Sequence, residues 1–440
     1  MDKTFAHALS VSVAAAMFFS ASASIGQETG QTVRHHRVEE QDPAAATLTE
    51  AENDIGKNDL DAAEPLLKKY LETYPESYAA WYDLGYVYHA LGKNQDSIAA
   101  YKKSIVAKPD VFESNLNLGL VLADVGDAQA EQYLRAATKL KPNSNSPRGQ
   151  ERAWMALGHV LANSRPQEAI AAFKEAATLS PNDAEPRLAA GSLLEQQQQT
   201  QQAEMEYQQA ARLAPTSSDP LVALSNLYMR QRRFPDAEGA LKKLVAIHPE
   251  DAGAHFQLGR MIAISGNKDD AINEMEAGVK LDPTDMKAQR DLADMYADSG
   301  KFEKAGQLYA ALLNTHPQDA NLHFGMGRSL LKQKKPGEAE QELTKAIQLN
   351  PGWGEAYGEL AIAANENKDY ALAIKAADER AKYLPENPMS YFLRATAYDH
   401  LRDVKNASRY YHQFLDVAEG KYPDQEWQAQ HRLIAIEPKK

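Results

Sequence analysis

The chain of 440 residues is 43% hydrophobic and 25% charged, has no cysteine, and carries a formal net charge of −13. Zero cysteine excludes disulfide scaffolds, thiolate zinc or iron–sulfur sites, a cysteine nucleophile and a sulfur-linked lipid anchor. The acidic balance, 61 Asp+Glu against 48 Lys+Arg, opposes nucleic-acid binding, which needs clustered positive charge to neutralise phosphate.

Residues 1–23 differ from the rest. Lys3 leads into an apolar stretch from Ala6 to Phe19 and then into small residues with an A-x-A pattern at Ala21, Ser22 and Ala23. This is the layout of a secretory signal peptide cut after Ala23, and the apolar run is shorter than the ~20 residues that span a bilayer. Export to the periplasm or beyond a bacterial cell is expected. No later segment is apolar enough to be a transmembrane span, and a cysteine-free mature chain suits an oxidising compartment. Residues 24–43 are polar, lack helical periodicity and read as a disordered linker.

Beyond the linker the chain keeps time. Prolines stand at Pro75, Pro109, Pro142, Pro181, Pro215, Pro249, Pro283, Pro317, Pro351 and Pro385, spaced by 34 residues except for 33 and 39 on either side of Pro142. A fixed period in the range of 20 to 50 residues signals stacked repeats, so one continuous array replaces the several domains that length alone suggests. Twelve residues before the prolines stand Ala63, Ser97, Ala130, Ala169, Ala203, Ala237, Ala271, Ala305, Ala339 and Ala373. All are small, as close helix packing requires. A second small row runs Gly85, Gly119, Gly158, Gly191, Ser225, Gly259, Ala293, Gly327 and Ala361. Glycine inside a helix costs about 1 kcal/mol relative to alanine, so its recurrence implies a packing need.

The stretch from Tyr78 to Pro109 shows the unit. Trp81, Leu84, Gly85 and Tyr88 form an i, i+3, i+4, i+7 stripe on a first helix that stops at Gly92; a second helix carries Ser97, Tyr101 and Ser104, and Pro109 closes the unit. The pattern W-x-x-L-G-x-x-Y, then small, aromatic, small and Pro, resembles the tetratricopeptide repeat. The resemblance implies an all-α, right-handed α-solenoid of tandem helix-turn-helix units, about eleven repeats. Repeats one to three cover 44–142, a lengthened loop 143–150 offers a hinge, and repeats four to eleven cover 151–422. Residues 424–440 supply a capping helix and tail, with Trp427, His431 and Ile434 on one face.

No enzyme motif is present: there is no H-E-x-x-H, G-x-S-x-G, G-x-x-x-x-G-K-[ST] or strand-linked G-x-G-x-x-G, and the twelve His keep no zinc spacing. No catalytic residue, metal or cofactor is therefore expected, and the surfaces carry the function. In the family the first helices line a concave groove. Here the groove positions hold Tyr82, Tyr86 and His89; Leu116 and Leu120; Met155 and His159; Leu188 and Ser192; Val222, Asn226 and Met229; Phe256 and Arg260; Arg290 and Asp294; Phe324 and Arg328; Ile362 and Asn365. The N-terminal half is apolar and aromatic, suited to an extended peptide or amphipathic helix, or else to contact between neighbouring first helices. Farther on, Arg260, Asp294 and Arg328 alternate in charge, with Arg290 between two rings. Either these guanidiniums meet a bound carboxylate or they pair with Asp294. The family's carboxylate clamp of Lys and Asn is not matched, since Tyr82, Tyr86 and Asn117 stand in its places. The expectation is an exported interaction scaffold for proteins or peptides, with binding of a polysaccharide by stacked tyrosines as the alternative.

Overall fold

The computed structural model describes residues 43–143 and 147–437, so the expected signal peptide and all but the end of the linker lie outside the described residues. Among those described there are 23 α-helices and no strand, and consecutive helices pack as pairs. Two compact units divide the chain, residues 1–223 and 224–440.

The first unit contains α1 (Pro43–Gly56), α2 (Leu60–Thr73), α3 (Tyr78–Ala90), α4 (Asn94–Ala107), α5 (Phe112–Asp124), α6 (Ala130–Lys139), α7 (Pro147–Leu161), α8 (Pro166–Leu179), α9 (Glu185–Gln196) and α10 (Thr200–Leu213). The boundary falls within α11 (Asp219–Arg230). The second unit continues with α12 (Phe234–Ile247), α13 (Ala252–Ile264), α14 (Lys268–Leu281), α15 (Met286–Asp298), α16 (Phe302–Thr315), α17 (Ala320–Lys332) and α18 (Pro336–Leu349). It closes with α19 (Gly354–Glu366), α20 (Tyr370–Tyr383), α21 (Pro388–His400), α22 (Val404–Ala418) and α23 (Pro423–Ile436). Pairs α1/α2 to α21/α22 make eleven repeats of the expected kind.

Local chemistry starts and turns these helices. Ser77, Asp251, Asp285 and Asp319 precede first helices and accept a backbone N–H two or three residues on, the N-cap arrangement that satisfies an otherwise unpaired donor. Within each pair but α7/α8, the turn passes through one residue of positive φ on the repeat's own beat: Asn58, Gly92, Gly126, Gln198, Arg232, Gly266, Gly300, Lys334, Lys368 and Arg402. Only four are glycines. The others hold a left-handed conformation that costs a side-chain-bearing residue about 1 kcal/mol.

Both small rows serve the helix contacts. All ten small residues of the second helices are 1% exposed or less. Ser97 is accommodated because its hydroxyl donates to the Gly85 carbonyl at 2.8 Å. On the facing row a Cβ at Gly85 would lie 2.7 Å from Tyr101, at Gly158 2.4 Å from Phe173, at Gly191 2.6 Å from Tyr207, and at Gly119, Gly259 and Gly327 2.7 Å from Leu134, Met275 and Leu343. The absent methyl makes room for the large residue opposite. Where Ala361 takes the glycine place, the residue sixteen on is Ala377, and both are buried. Volume is kept within the pair.

One boundary is corrected, and the docking face of the cap is defined. Residues 147–150 of the supposed loop form the first turn of α7, because Pro147 suits a helix start. The capping helix buries Ala429 and Leu433, while Trp427 and Ile434 are 62% and 71% exposed. Ala429 stands 34 residues after the buried Ala395, so α23 docks through the small residue on the repeat's beat and turns its apolar stripe outward. Arg432 fixes it on α21 with a two-pronged contact to Asp399, at 2.6 and 2.7 Å.

Candidate functional site

The expected groove residues separate into two rows that behave differently. Tyr82, Leu116, Met155 and Phe256 occupy the same repeat position, and three of them are core residues: Leu116 is 5% exposed, Met155 8% and Phe256 5%. Phe256 fills the space beside Gly278, where a Cβ would lie 2.5 Å from its ring. Tyr82 lies 5.7 Å from the ring of Tyr101, and its hydroxyl accepts from Asn117 Nδ2 at 3.1 Å. This row wedges between its own second helix and the next first helix, the alternative kept open above for the groove positions. Phe324, in the same row, is half-buried with its ring 4.3 Å from that of Trp353.

Four residues farther along each first helix the side chains stay accessible. In the first unit this row holds Tyr86, Leu120, His159 and Ser192; in the second it holds Asn226, Arg260, Asp294, Arg328 and Ile362, and all nine are half-buried or exposed. Ile362 is 41% exposed. Val222, Met229, Leu188 and Asn365 are half-buried. Half-buried His89 and Asn365 each keep one buried side-chain atom, Nδ1 and Oδ1, with no hydrogen-bond partner.

In the second unit the charges of the row are internally matched, by a different pairing from the expected one. Arg260 donates through Nε to Asp291 at 2.7 Å, not to Asp294, and Arg328 lies 3.6 Å from Glu359. Both contacts join a residue to one 31 positions later on the next first helix. Asp294 instead accepts from the hydroxyl of Tyr309; burial pushes its carboxyl up, while Arg290 works in the opposite direction. Arg290 itself makes no ion pair among the described residues. In the first unit burial, reinforced by the charge of Glu52, pushes the Asp83 carboxyl up to about 8.

Two features escaped the sequence, one recurring and one singular. The residue six places after the repeat proline donates to that proline's carbonyl: Trp81 to Pro75 at 2.7 Å, Asn115 to Pro109 at 3.0 Å and Gln289 to Pro283 at 2.6 Å. His255 and His323 make the same tie to Pro249 and Pro317 at 3.1 Å, each with its Nδ1 on a glutamate of the second helix, Glu274 or Glu342. The signal was a donor-bearing side chain at fixed distance from the proline. The other is Arg394, only 2% exposed in the place where α3 has Leu84. It is held by Asp378 at 2.7 Å, Glu386 at 2.9 Å and the Ala377 carbonyl at 2.6 Å.

These features define an α-helical repeat protein that offers rows of side chains for contact, with no cluster of His, Asp or Glu able to hold a metal among the described residues and no described helix long and apolar enough to cross a membrane. Sequence models of the tetratricopeptide repeat match residues 48–112, 116–184, 159–218, 222–284, 264–324 and 324–388. The chain belongs to the tetratricopeptide repeat family. It is 26% identical over 106 residues to the human Protein O-mannosyl-transferase TMTC3, covering 24% of this chain and 12% of that protein. It is 33% identical over 100 residues to the Arabidopsis thaliana Protein CTR9 homolog, covering 22% of this chain and 9% of that one. The chain thus matches only about a tenth of the length of these relatives. Among solved structures it is similar to pilF of Pseudomonas aeruginosa, with TM-score 0.40, 21% identity, and 48% of this chain against 97% of that one covered. It is also similar to yeast Tom70, with TM-score 0.33, 15% identity and coverage of 89% and 95%.

Proposed function

We propose that this chain is an exported, non-enzymatic scaffold that holds segments of other proteins along the row of Tyr86, in the service of envelope assembly or secretion. The observation that carries the reading is the split between neighbouring rows. Tyr82, Leu116, Met155 and Phe256 are consumed by packing, while Tyr86, Leu120, His159 and Ser192 share one repeat position and remain accessible. Repeated, preformed side-chain rows suit an extended or helical segment, which buries apolar surface at about 25 cal/mol per Å² without requiring rearrangement. The address rests on the layout of residues 1–23.

Photo-crosslinking residues placed at Tyr86 and Leu120, with Val106 on a second helix as control, test the surface in cells. Val106 is 83% exposed. The expected result is a defined set of envelope proteins crosslinked from Tyr86 and Leu120 and absent from Val106. The same proteins recovered from all three positions would remove the assignment. N-terminal sequencing of the secreted or periplasmic fraction checks the address, with Ser24 expected as the first residue. Sugar stacking is the weaker reading, since Tyr82 is committed to Tyr101 and Asn117.

A further inference from the structure

We propose that the groove of the first unit receives a partner segment bearing an arginine or lysine side chain, seated against Asp83, with apolar neighbours along Tyr86 and Leu120. This rests on the scaffold reading above and names the chemistry of what that surface takes.

The fold itself supplies the comparison. A residue in the row of Tyr86 meets, 31 positions later, a residue in the row of Asp83 on the next first helix. In the second unit this junction twice joins an arginine to a carboxylate, Arg260 to Asp291 at 2.7 Å and Arg328 to Glu359 at 3.6 Å. The geometry therefore brings a guanidinium to the carboxyl of that row. In the first unit the same two places are Glu52 and Asp83. Asp83 makes no hydrogen bond or ion pair among the described residues, and the charge of Glu52 adds to burial in opposing its ionisation.

Among the described residues, no cation is paired with Asp83. Glu52 faces it from α1, and the aromatic hydroxyls of Tyr82 and Tyr101 lie near it on α3 and α4. From α5 come Asn117, bonded to both hydroxyls, and the charge of Glu113, felt by Tyr82. The cations of α2 and α4 that reach α3 are engaged elsewhere: Lys68 and Lys93 over the ring of Tyr88 and on Glu64, Lys103 over Trp81 and Lys108 over Tyr78. His89, two turns farther along α3, leaves Nδ1 buried without a partner. A partner's guanidinium or ammonium supplies the missing charge, its aliphatic stem packs on Tyr86, and Leu120 accepts an adjacent apolar side chain. An acidic segment would instead add like charge at Glu52 and Asp83. Seating the cation draws the proton from Asp83, so binding and ionisation are linked.

Fluorescence anisotropy of the full chain with labelled ten-residue peptides, in which leucine alternates with arginine, glutamine or glutamate, tests this at pH 6.5 and 8.5. The arginine peptide is expected to bind at least tenfold tighter than the glutamine peptide, the glutamate peptide weakest, with the arginine peptide tightening as pH rises. Asp83→Asn should lose the tenfold preference and its pH dependence without lowering the melting temperature, and Asp83→Glu should retain the preference. Equal binding of the arginine and glutamine peptides would overturn the charge assignment and leave the scaffold reading standing; binding of no peptide would overturn both. A preference that survives Asp83→Asn belongs to the acidic surface at large and also overturns it. Tenfold tighter binding by an Arg34→Ala/Arg37→Ala variant would identify the chain's own preceding segment as occupant, against a separate partner.

Discussion

The accessible rows of the two units share one backbone geometry and differ in chemistry. In the first unit the row is Tyr86, Leu120, His159 and Ser192, with the unpaired carboxyl of Asp83 beside it; in the second, Arg260 and Arg328 have their own carboxylates on the next helix. Arg260 and Arg328 are paired within the chain, and Asp83 is not paired with any described residue. The lesson is that the repeat dictates where a side chain stands but not whether the chain completes its interactions, and incomplete rows are where partners are to be sought.

Substitutions sharpen this contrast from the interior outward. Gly158→Val in the first unit and Gly327→Val in the second should each destabilise their own unit by about 3 kcal/mol, since the added carbons meet Phe173 and Leu343; urea unfolding measures both, and a neutral result would show that the helix pair spreads freely. Arg394→Ala should cost the second unit about 3 kcal/mol, because Asp378 and Glu386 lose the cation they hold. For Asp83 the sign is set by its upward shift: the folded state holds the proton more tightly than the unfolded one. The first unit should therefore lose at least about 1 kcal/mol as pH rises from about 4 to about 8, and Asp83→Asn should flatten that slope in thermal melts.

Smaller effects follow at the surface. A double-mutant cycle on Arg260 and Asp291, whose side chains are 35% and 25% exposed, should give a coupling of about 0.5 kcal/mol that fades with salt. A coupling of zero would make the second unit's row as open as the first. Leu120→Ser should change stability by no more than about 0.5 kcal/mol while weakening peptide capture in the anisotropy assay.

The fold was legible because packing is periodic. Pro75 to Pro385, Ala63 to Ala373 and the glycine row each fix a contact that every repeat must make, so the beat survives substitutions such as Ala361 for glycine. The candidate site was legible only by half. Periodicity places Tyr82 and Tyr86 on the same face, yet four residues decide between a wedge in the core and an accessible row, and that depends on how near the next helix comes. The same holds for Asp294, whose nearest partner is the Tyr309 hydroxyl from its own second helix. For α23 the sequence shows the stripe of Trp427, His431 and Ile434 on one face, and it is the single small residue Ala429 that docks. Arg394 had no sequence warning, because one charged residue in a leucine place looks like a lapse of the pattern until Asp378 and Glu386 are seen around it.

The ties to the proline carbonyls have a mechanical meaning. In the second unit the carbonyls of Pro249, Pro283 and Pro317 receive a side-chain donor from the following helix, and that of Pro385 receives Arg380. Pro351 receives none among the described residues; its junction is braced by the rings of Phe324 and Trp353. A directional hydrogen bond resists shear until it breaks, whereas two apolar rings slide past one another. Drawn out by force, the second unit should yield first between α18 and α19, where the proline carbonyl carries no latch and the exposed contact of Asn367 Nδ2 with Glu340, at 2.9 Å, is the directional bond left to hold it.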